Sequence, residues 1–82
     1  GEKQRESTAL TNIGLIYYNL GEIKLTLDFF QRALALRKET KDRKGEGIII
    51  NNLGFINNEG GNKRKALEYY EMALEIALET TD

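Results

Sequence analysis

The chain has 82 residues, of which 40% are hydrophobic and 30% charged, and its formal net charge is −1 at pH 7. This size and composition predict one small folded domain, and the charge gives no reason to expect nucleic-acid binding. Cys and His are both absent, which removes disulfides, thiolate chemistry, the commonest general base and the commonest metal ligand, so we expect no cofactor and no metal site.

No segment of the sequence predicts a membrane span or a catalytic centre. No run of apolar residues, including Ile48-Ile49-Ile50, is longer than four, so no membrane association is expected and a cytoplasmic location is the default. No Ser/His or Cys/His pair and no phosphate-binding GxxxxGK[ST] motif occurs, which argues against an enzyme. Glu68, Glu71 and Glu75 share a helix face, but without a His or a facing acid we interpret them as a solvated stripe.

The first half of the chain predicts a helical hairpin. Apolar and small residues spaced by three or four from Leu10 to Tyr17 indicate one amphipathic helix, and Leu20-Gly21-Glu22 ends it. The same spacing resumes from Ile23 to Leu34, which indicates a second helix. Thr40-Lys41-Asp42 is a polar break after it.

The second half predicts another hairpin of the same kind. Its first helix carries Ile49 to Ile56, and its second carries Ala66 to Leu78. Between them Glu59-Gly60-Gly61-Asn62 is a strong turn signal, with Asn62 as the N-cap of the last helix. With no proline and no alternating strand pattern, the fold class is all-α: two helix-turn-helix hairpins, four helices in total.

Two glycines inside the predicted helices indicate close helix packing. Gly14 and Gly54 stand in mid-helix, where glycine costs about 1 kcal/mol relative to alanine. The cost is understandable if a second helix crosses where there is no room for a Cβ atom. We expect Phe30 and Tyr70 to fill the space between the crossing helices.

The two halves are copies of one unit. Asn12-Ile13-Gly14 returns 40 positions later as Asn52-Leu53-Gly54, and Gly21 and Leu34 return at the same offset as Gly61 and Leu74. We therefore predict one two-repeat domain over residues 1–82, with repeat 1 at about 3–42 and repeat 2 at about 43–82. Repeats of this kind stack into a continuous surface and enclose no catalytic cavity.

At these positions the chain resembles the tetratricopeptide repeat. The matching positions are Leu10, Ile13-Gly14, Tyr17, Gly21, Phe30 and Ala33 in repeat 1, and Ile50, Leu53-Gly54, Gly61, Ala66, Tyr70 and Ala73 in repeat 2. Thr26 at a small-residue position, Asn57 at the Tyr position and the lack of a terminal proline depart from the pattern. The 40-residue period is similar to the long variant found in kinesin light chains and in many bacterial proteins of the family.

The resemblance implies an α-solenoid whose first helices line a concave groove that holds a peptide or partner segment. Carried over by position, the groove residues are Thr8, Asn12, Leu15 and Asn19 in repeat 1, and Ile48, Asn51, Asn52 and Phe55 in repeat 2. The recurring Asn12 and Asn52 can grip a ligand backbone as a ladder, because an amide both donates and accepts. Alternatively, these amides bond between neighbouring helices and meet no ligand, and the apolar groove residues pack against a neighbouring repeat.

The function predicted first is therefore a noncatalytic protein–protein interaction module, and the alternative is a self-association element. Four apolar residues of the last helix, Leu67, Leu74, Ile76 and Leu78, exceed what one partner helix can cover. The chain begins and ends near repeat boundaries without a polar capping helix, so we expect a fragment of a longer array or an engineered two-repeat chain. We expect homo-oligomers, formed by stacking or by exchange of helices.

The two repeats differ in charge. Lys3–Asp42 holds seven basic and five acidic residues, a net charge of +2, whereas Arg43–Asp82 holds five basic and seven acidic residues, a net charge of −2. Two solvated faces are the simpler interpretation, and head-to-tail association of opposite charges is the other.

Overall fold

The structure, a computed structural model, describes residues 1–81 and consists of four α-helices over that range. They are α1 (Glu2–Asn19), α2 (Ile23–Glu39), α3 (Arg43–Glu59) and α4 (Lys63–Thr80), and the described residues contain no strand. In unit 1, Gly1–Asp42, α1 packs against α2; in unit 2, which begins at Arg43, α3 packs against α4. The predicted all-α fold of two helical hairpins is confirmed.

Both hairpins turn through the same hydrogen-bonded motif. After α1, the Gly21 N–H donates to the Tyr18 carbonyl and the Glu22 N–H donates to the Tyr17 carbonyl, the paired bonds of a Schellman motif. This motif needs a left-handed residue, and Gly21 supplies it with φ +80°. Gly61 does the same after α3 with φ +87°. The glycine repeated 40 positions apart thus marks the turn of each hairpin.

The predicted N-cap of α4 is also present. The Asn62 side chain accepts a hydrogen bond from the Lys65 backbone N–H at 3.4 Å. This bond satisfies one of the N–H groups that the first turn of a helix leaves without an intrahelical partner.

The turn after α2 uses the same motif without a glycine. There the Lys41 N–H donates to the Lys38 carbonyl and the Asp42 N–H donates to the Arg37 carbonyl, and Lys41 has φ 56°. A side chain in this left-handed region crowds its own backbone, at a cost of roughly 1–2 kcal/mol. Lys41 is therefore a strained position in an otherwise regular hairpin.

Each unit is assembled around a glycine notch that receives an aromatic ring. A Cβ atom added to Gly14 would lie 2.8 Å from the Phe30 ring, and one added to Gly54 would lie 2.8 Å from the Tyr70 ring. These distances are too short for real carbon atoms, so the close helix approach predicted from the mid-helix glycines is confirmed. A further notch, not predicted from the sequence, lies at Gly47, where a Cβ atom would be 2.8 Å from a methyl carbon of Ile76.

The polar residues in the core of unit 1 have hydrogen-bond partners. Ser7 and Thr26 are completely buried. The Ser7 hydroxyl donates to the Ala33 carbonyl at 3.0 Å, and the Thr26 hydroxyl donates to the Glu22 carbonyl at 2.9 Å. Thr26, which departs from the small residue of the repeat pattern, is thus accommodated because its hydroxyl is satisfied within its own helix.

The apolar surplus of α4 is mostly on its surface. Leu67, Leu74 and Leu78 are exposed. This agrees with the expectation that α4 carries more apolar residues than one partner helix can cover. Ile76, which was expected among them, is buried, because the absent side chain of Gly47 leaves room for it. The exposed surplus of α4 therefore comes from its leucines.

Replacing Gly14 or Gly54 with alanine is expected to lower the free energy of unfolding by about 1–3 kcal/mol, because the new methyl group overpacks the ring notch. This loss is the net result after the gain of about 1 kcal/mol in helix propensity that alanine brings. The free energy of unfolding is measured by urea denaturation followed by circular dichroism. Gly60→Ala is the control, because a Cβ atom there meets only the Ile56 carbonyl at 3.4 Å and the Asn57 carbonyl at 3.8 Å. Equal stability of Gly14→Ala and Gly60→Ala would contradict the notch.

Lys41→Gly is expected to raise the free energy of unfolding by about 0.5–1 kcal/mol, since relief of left-handed strain exceeds the added freedom of the unfolded chain. The matched control is Lys38→Gly, inside α2, which should lower stability by about 1 kcal/mol. The same denaturation measurement applies to both variants. Destabilisation by both would show that Lys41 carries no strain.

Candidate functional site

The four residues predicted as the binding surface of unit 1 lie on one face of α1. Thr8, Asn12, Leu15 and Asn19 are separated by four, three and four positions, and all four are exposed. Within residues 1–81 the Asn12 side chain makes no hydrogen bond to the protein, whereas the Thr8 hydroxyl donates to the Gln4 carbonyl. We call these four residues the asparagine face of unit 1.

The four residues predicted as the binding surface of unit 2 lie along α3, and three of them, Ile48, Asn52 and Phe55, are the counterparts of Thr8, Asn12 and Leu15. Ile48, Asn51 and Phe55 are exposed and Asn52 is half-buried. Over the described part of the chain, neither the Asn51 nor the Asn52 side chain bonds to another protein group. We call these four residues the asparagine face of unit 2.

A cavity of about 770 Å³ opens between α3 and α4 beside this face. Ile48, Asn51 and Asn52 contribute to its wall, and Phe55 does not. The other lining residues are Lys44, Gly47, Tyr70, Ala73, Leu74, Ile76, Ala77, Thr80 and Thr81. Its volume and its mainly apolar wall with a few amide and hydroxyl groups are typical of pockets that bind small molecules or side chains.

Two residues in the wall of this cavity are smaller than their counterparts in unit 1. Gly47 is the counterpart of Ser7, and Ala77 is the counterpart of Arg37. In unit 1 the Arg37 guanidinium donates to the Ser7 hydroxyl at 2.9 Å, to the Thr8 hydroxyl at 3.0 Å and to the Asp42 carboxylate at 2.6 Å. Arg37 thus spans the space between α1 and α2 that stays open between α3 and α4.

Ile48, Asn51 and Asn52, which line this cavity, are among the residues predicted for a groove on the first helices, and their role in binding stays a prediction. From the sequence, Ala73 and Leu74 are expected on the apolar stripe of the last helix, and Gly47 and Ala77 are not considered. A comparison of the two repeats position by position contains the signal, because the pairs Ser7/Gly47 and Arg37/Ala77 are both large-to-small changes.

Equivalent ion pairs join the start of the first helix to the end of the second helix in both units. Lys3 pairs with Glu39 at 3.0 Å in unit 1, and Arg43 pairs with Glu79 at 2.5 Å in unit 2. The hydrogen bond from Arg43 lowers the pKa of Glu79, and the same bond raises the pKa of Arg43. Because the folded pKa of Glu79 is lowered, its contribution to stability is present above the ordinary Glu pKa and is lost as the pH falls through the folded value.

Within the described residues no group of three or more acidic residues is placed to hold a metal ion. None of the helices in that range combines the length and the apolarity that crossing a bilayer demands.

Two equivalent helical hairpins define a helical-repeat protein. The family model described as the tetratricopeptide repeat matches residues 5–79, which include both hairpins, and the chain belongs to this family. Tetratricopeptide repeats are noncatalytic and generally mediate protein–protein interaction. Comparisons with curated proteins and with solved structures gave no significant match.

Arg37→Ala is expected to lower the free energy of unfolding by about 1–3 kcal/mol, because it removes three charged hydrogen bonds from a largely buried guanidinium and opens a space in unit 1. Arg32→Ala is the control, since that guanidinium lies on an exposed helix position 5.0 Å above the Phe29 ring and contributes about 0.5–1 kcal/mol. Chemical denaturation of both variants gives the comparison. If Arg37→Ala lowers the free energy of unfolding less than Arg32→Ala does, Arg37 does not stabilise the contact between α1 and α2.

Proposed function

We propose that residues 1–82 act as one two-repeat domain of the long tetratricopeptide variant, similar to the repeats of kinesin light chains, and bind a peptide or partner segment. Each unit presents its own binding surface, the asparagine face of unit 1 or that of unit 2. One observation carries the proposal. The side-chain amides of Asn12 and Asn52, which occupy equivalent positions in the two repeats, make no hydrogen bond to any residue in the range 1–81. Their amides therefore remain available to a ligand.

The chemistry of both faces suits an extended peptide. An asparagine amide can accept from a peptide N–H and donate to a peptide carbonyl, so it recognises backbone without regard to side chain. Exposed Leu15 and Ile48 lie one turn from these amides and supply apolar contact. In unit 2 the 770 Å³ cavity beside Asn52 adds a pocket for an apolar side chain of the partner.

The charge around the cavity limits the kind of partner segment that fits it. Among the described residues that line the cavity, Lys44 is the one charged residue and none carries a carboxylate. A partner segment with an apolar anchor residue and a neutral or acidic neighbour fits this wall better than a basic segment.

Asn12→Ala together with Asn52→Ala is expected to weaken peptide binding at least about tenfold, the equivalent of losing one or two hydrogen bonds. Peptides are first selected from a displayed random library on the immobilised wild-type chain. Their dissociation constants for wild type and variant are then measured by titration calorimetry. The thermal midpoint of the variant should not fall, because neither amide bonds to the described protein.

Gln31→Ala is the control for this experiment, since it removes an exposed amide from α2, outside both asparagine faces. It should leave every dissociation constant unchanged. If the library yields no binder above background, or if the asparagine variant binds as tightly as wild type, the proposed surface is wrong. A fall in the thermal midpoint would instead support a structural role for the two amides.

A second candidate function is self-association. It is favoured by the exposure of Leu67, Leu74 and Leu78, which leaves a large apolar surface on α4. Stacking of whole chains covers this surface, and so does exchange of α4 between molecules.

A further inference from the structure

Three equivalent positions of α1 and α3 differ sharply in burial. Ile13 is 41% exposed and Ile16 is 59% exposed, and Ala9 is exposed as well. Their counterparts in α3 are Ile49, Leu53 and Ile56, which are 2%, 0% and 3% exposed. The spacing of four and three puts each set on one helix face. We call Ala9, Ile13 and Ile16 the α1 stripe.

The second helices differ in the opposite sense. Leu74 is 60% exposed, and Tyr70 and Ala73 beside it are half-buried. Their counterparts in α2, Leu34, Phe30 and Ala33, are 7%, 0% and 0% exposed. We call Tyr70, Ala73 and Leu74 the α4 stripe. The chain thus shows each of two repeat surfaces once buried and once open.

We propose that the α4 stripe of one molecule binds the α1 stripe of a second copy of this chain, head to tail. The proposal deepens self-association, the second candidate above, and rests on it. Both stripes are apolar and sit at repeat positions whose counterparts are fully buried. Side chains of these sizes are therefore compatible with a covered surface at the same positions.

Charge favours a head-to-tail contact over a symmetric one. Unit 1, which carries the α1 stripe, has seven basic and six acidic residues and a net charge of +1, and unit 2, which carries the α4 stripe, has five basic and seven acidic residues and a net charge of −2. A contact between unit 2 of one copy and unit 1 of another joins opposite charges. A contact between the same unit of two copies would place like charges against each other.

The cavity of unit 2 has room for side chains of the α1 stripe of a second copy. The three residues of the α4 stripe belong to its wall, together with Gly47 and Ala77. Because Ala77 is small, the wall beside the α4 stripe has room for bulky side chains such as those of Ile13 and Ile16. The α1 stripe is the matching apolar ridge, one position away on the helix from the asparagine face.

A head-to-tail contact has a consequence that helix exchange lacks. The two stripes are different surfaces, so binding at one leaves the other open, and association continues from molecule to molecule. Mean mass should rise steadily with concentration and show no plateau at the dimer.

Complementation between two variants tests this arrangement. Ile13→Gln/Ile16→Gln disables the α1 stripe, and Leu74→Gln disables the α4 stripe, in each case without changing charge. Sedimentation velocity from about 10 μM to about 1 mM should show a rising mean mass for wild type and at least about a tenfold weaker association for each variant alone. An equimolar mixture should form a 1:1 dimer and stop there, because each partner retains one intact stripe.

Two comparisons separate this proposal from the others. Leu25→Gln, which changes an exposed leucine of α2 outside both stripes, should associate like wild type. Wild type that stays monomeric at 1 mM overturns both self-association and the head-to-tail contact, whatever its peptide binding. Wild type that associates while the mixed variants stay monomeric overturns the head-to-tail contact alone. Normal helicity of each variant by circular dichroism verifies that it is folded.

Discussion

The seating of an aromatic ring on a glycine backbone is the contact on which both hairpins depend. Phe30 on Gly14 and Tyr70 on Gly54 bring two helices closer than any residue with a Cβ atom would permit. That close approach turns the glycine side of α1 toward α2 and the glycine side of α3 toward α4. The outward direction of Asn12 and Asn52 follows from the same contact, since each lies two residues before its glycine.

One scaffold supports two different surfaces because the repeats diverge at a few positions. In unit 1 Arg37 fills the space between the helices and bonds to groups on α1 and in the following turn. In unit 2 the equivalent Ala77 leaves a cavity, and Gly47 allows Ile76 to turn inward. Interaction specificity in this chain is thus expected to reside in unit 2, where the wall is open, while unit 1 contributes a braced and more polar surface.

Much of the fold was predictable from local pattern, and the limits of that prediction have physical causes. Helix positions, the left-handed Gly21 and Gly61, the Asn62 cap and the ring notches all follow from residue spacing or backbone geometry near in sequence. The burial of Ile76 did not, because apolar periodicity cannot tell which of several apolar positions meets a gap on the partner helix. The left-handed Lys41 gave no signal either, since lysine is an unusual residue for that conformation.

By itself, the sequence determined that the chain is a doubled helical hairpin, because a 40-residue offset repeats apolar, glycine and polar positions together and each governs short-range backbone geometry. It also predicted the residues of the two asparagine faces, because the residues of each face are spaced along a single helix. Only the tertiary structure decided that a cavity opens in unit 2 and is filled by Arg37 in unit 1. That difference depends on side chains about 30 residues apart that meet across a hairpin, and such a meeting is set by packing rather than by periodicity.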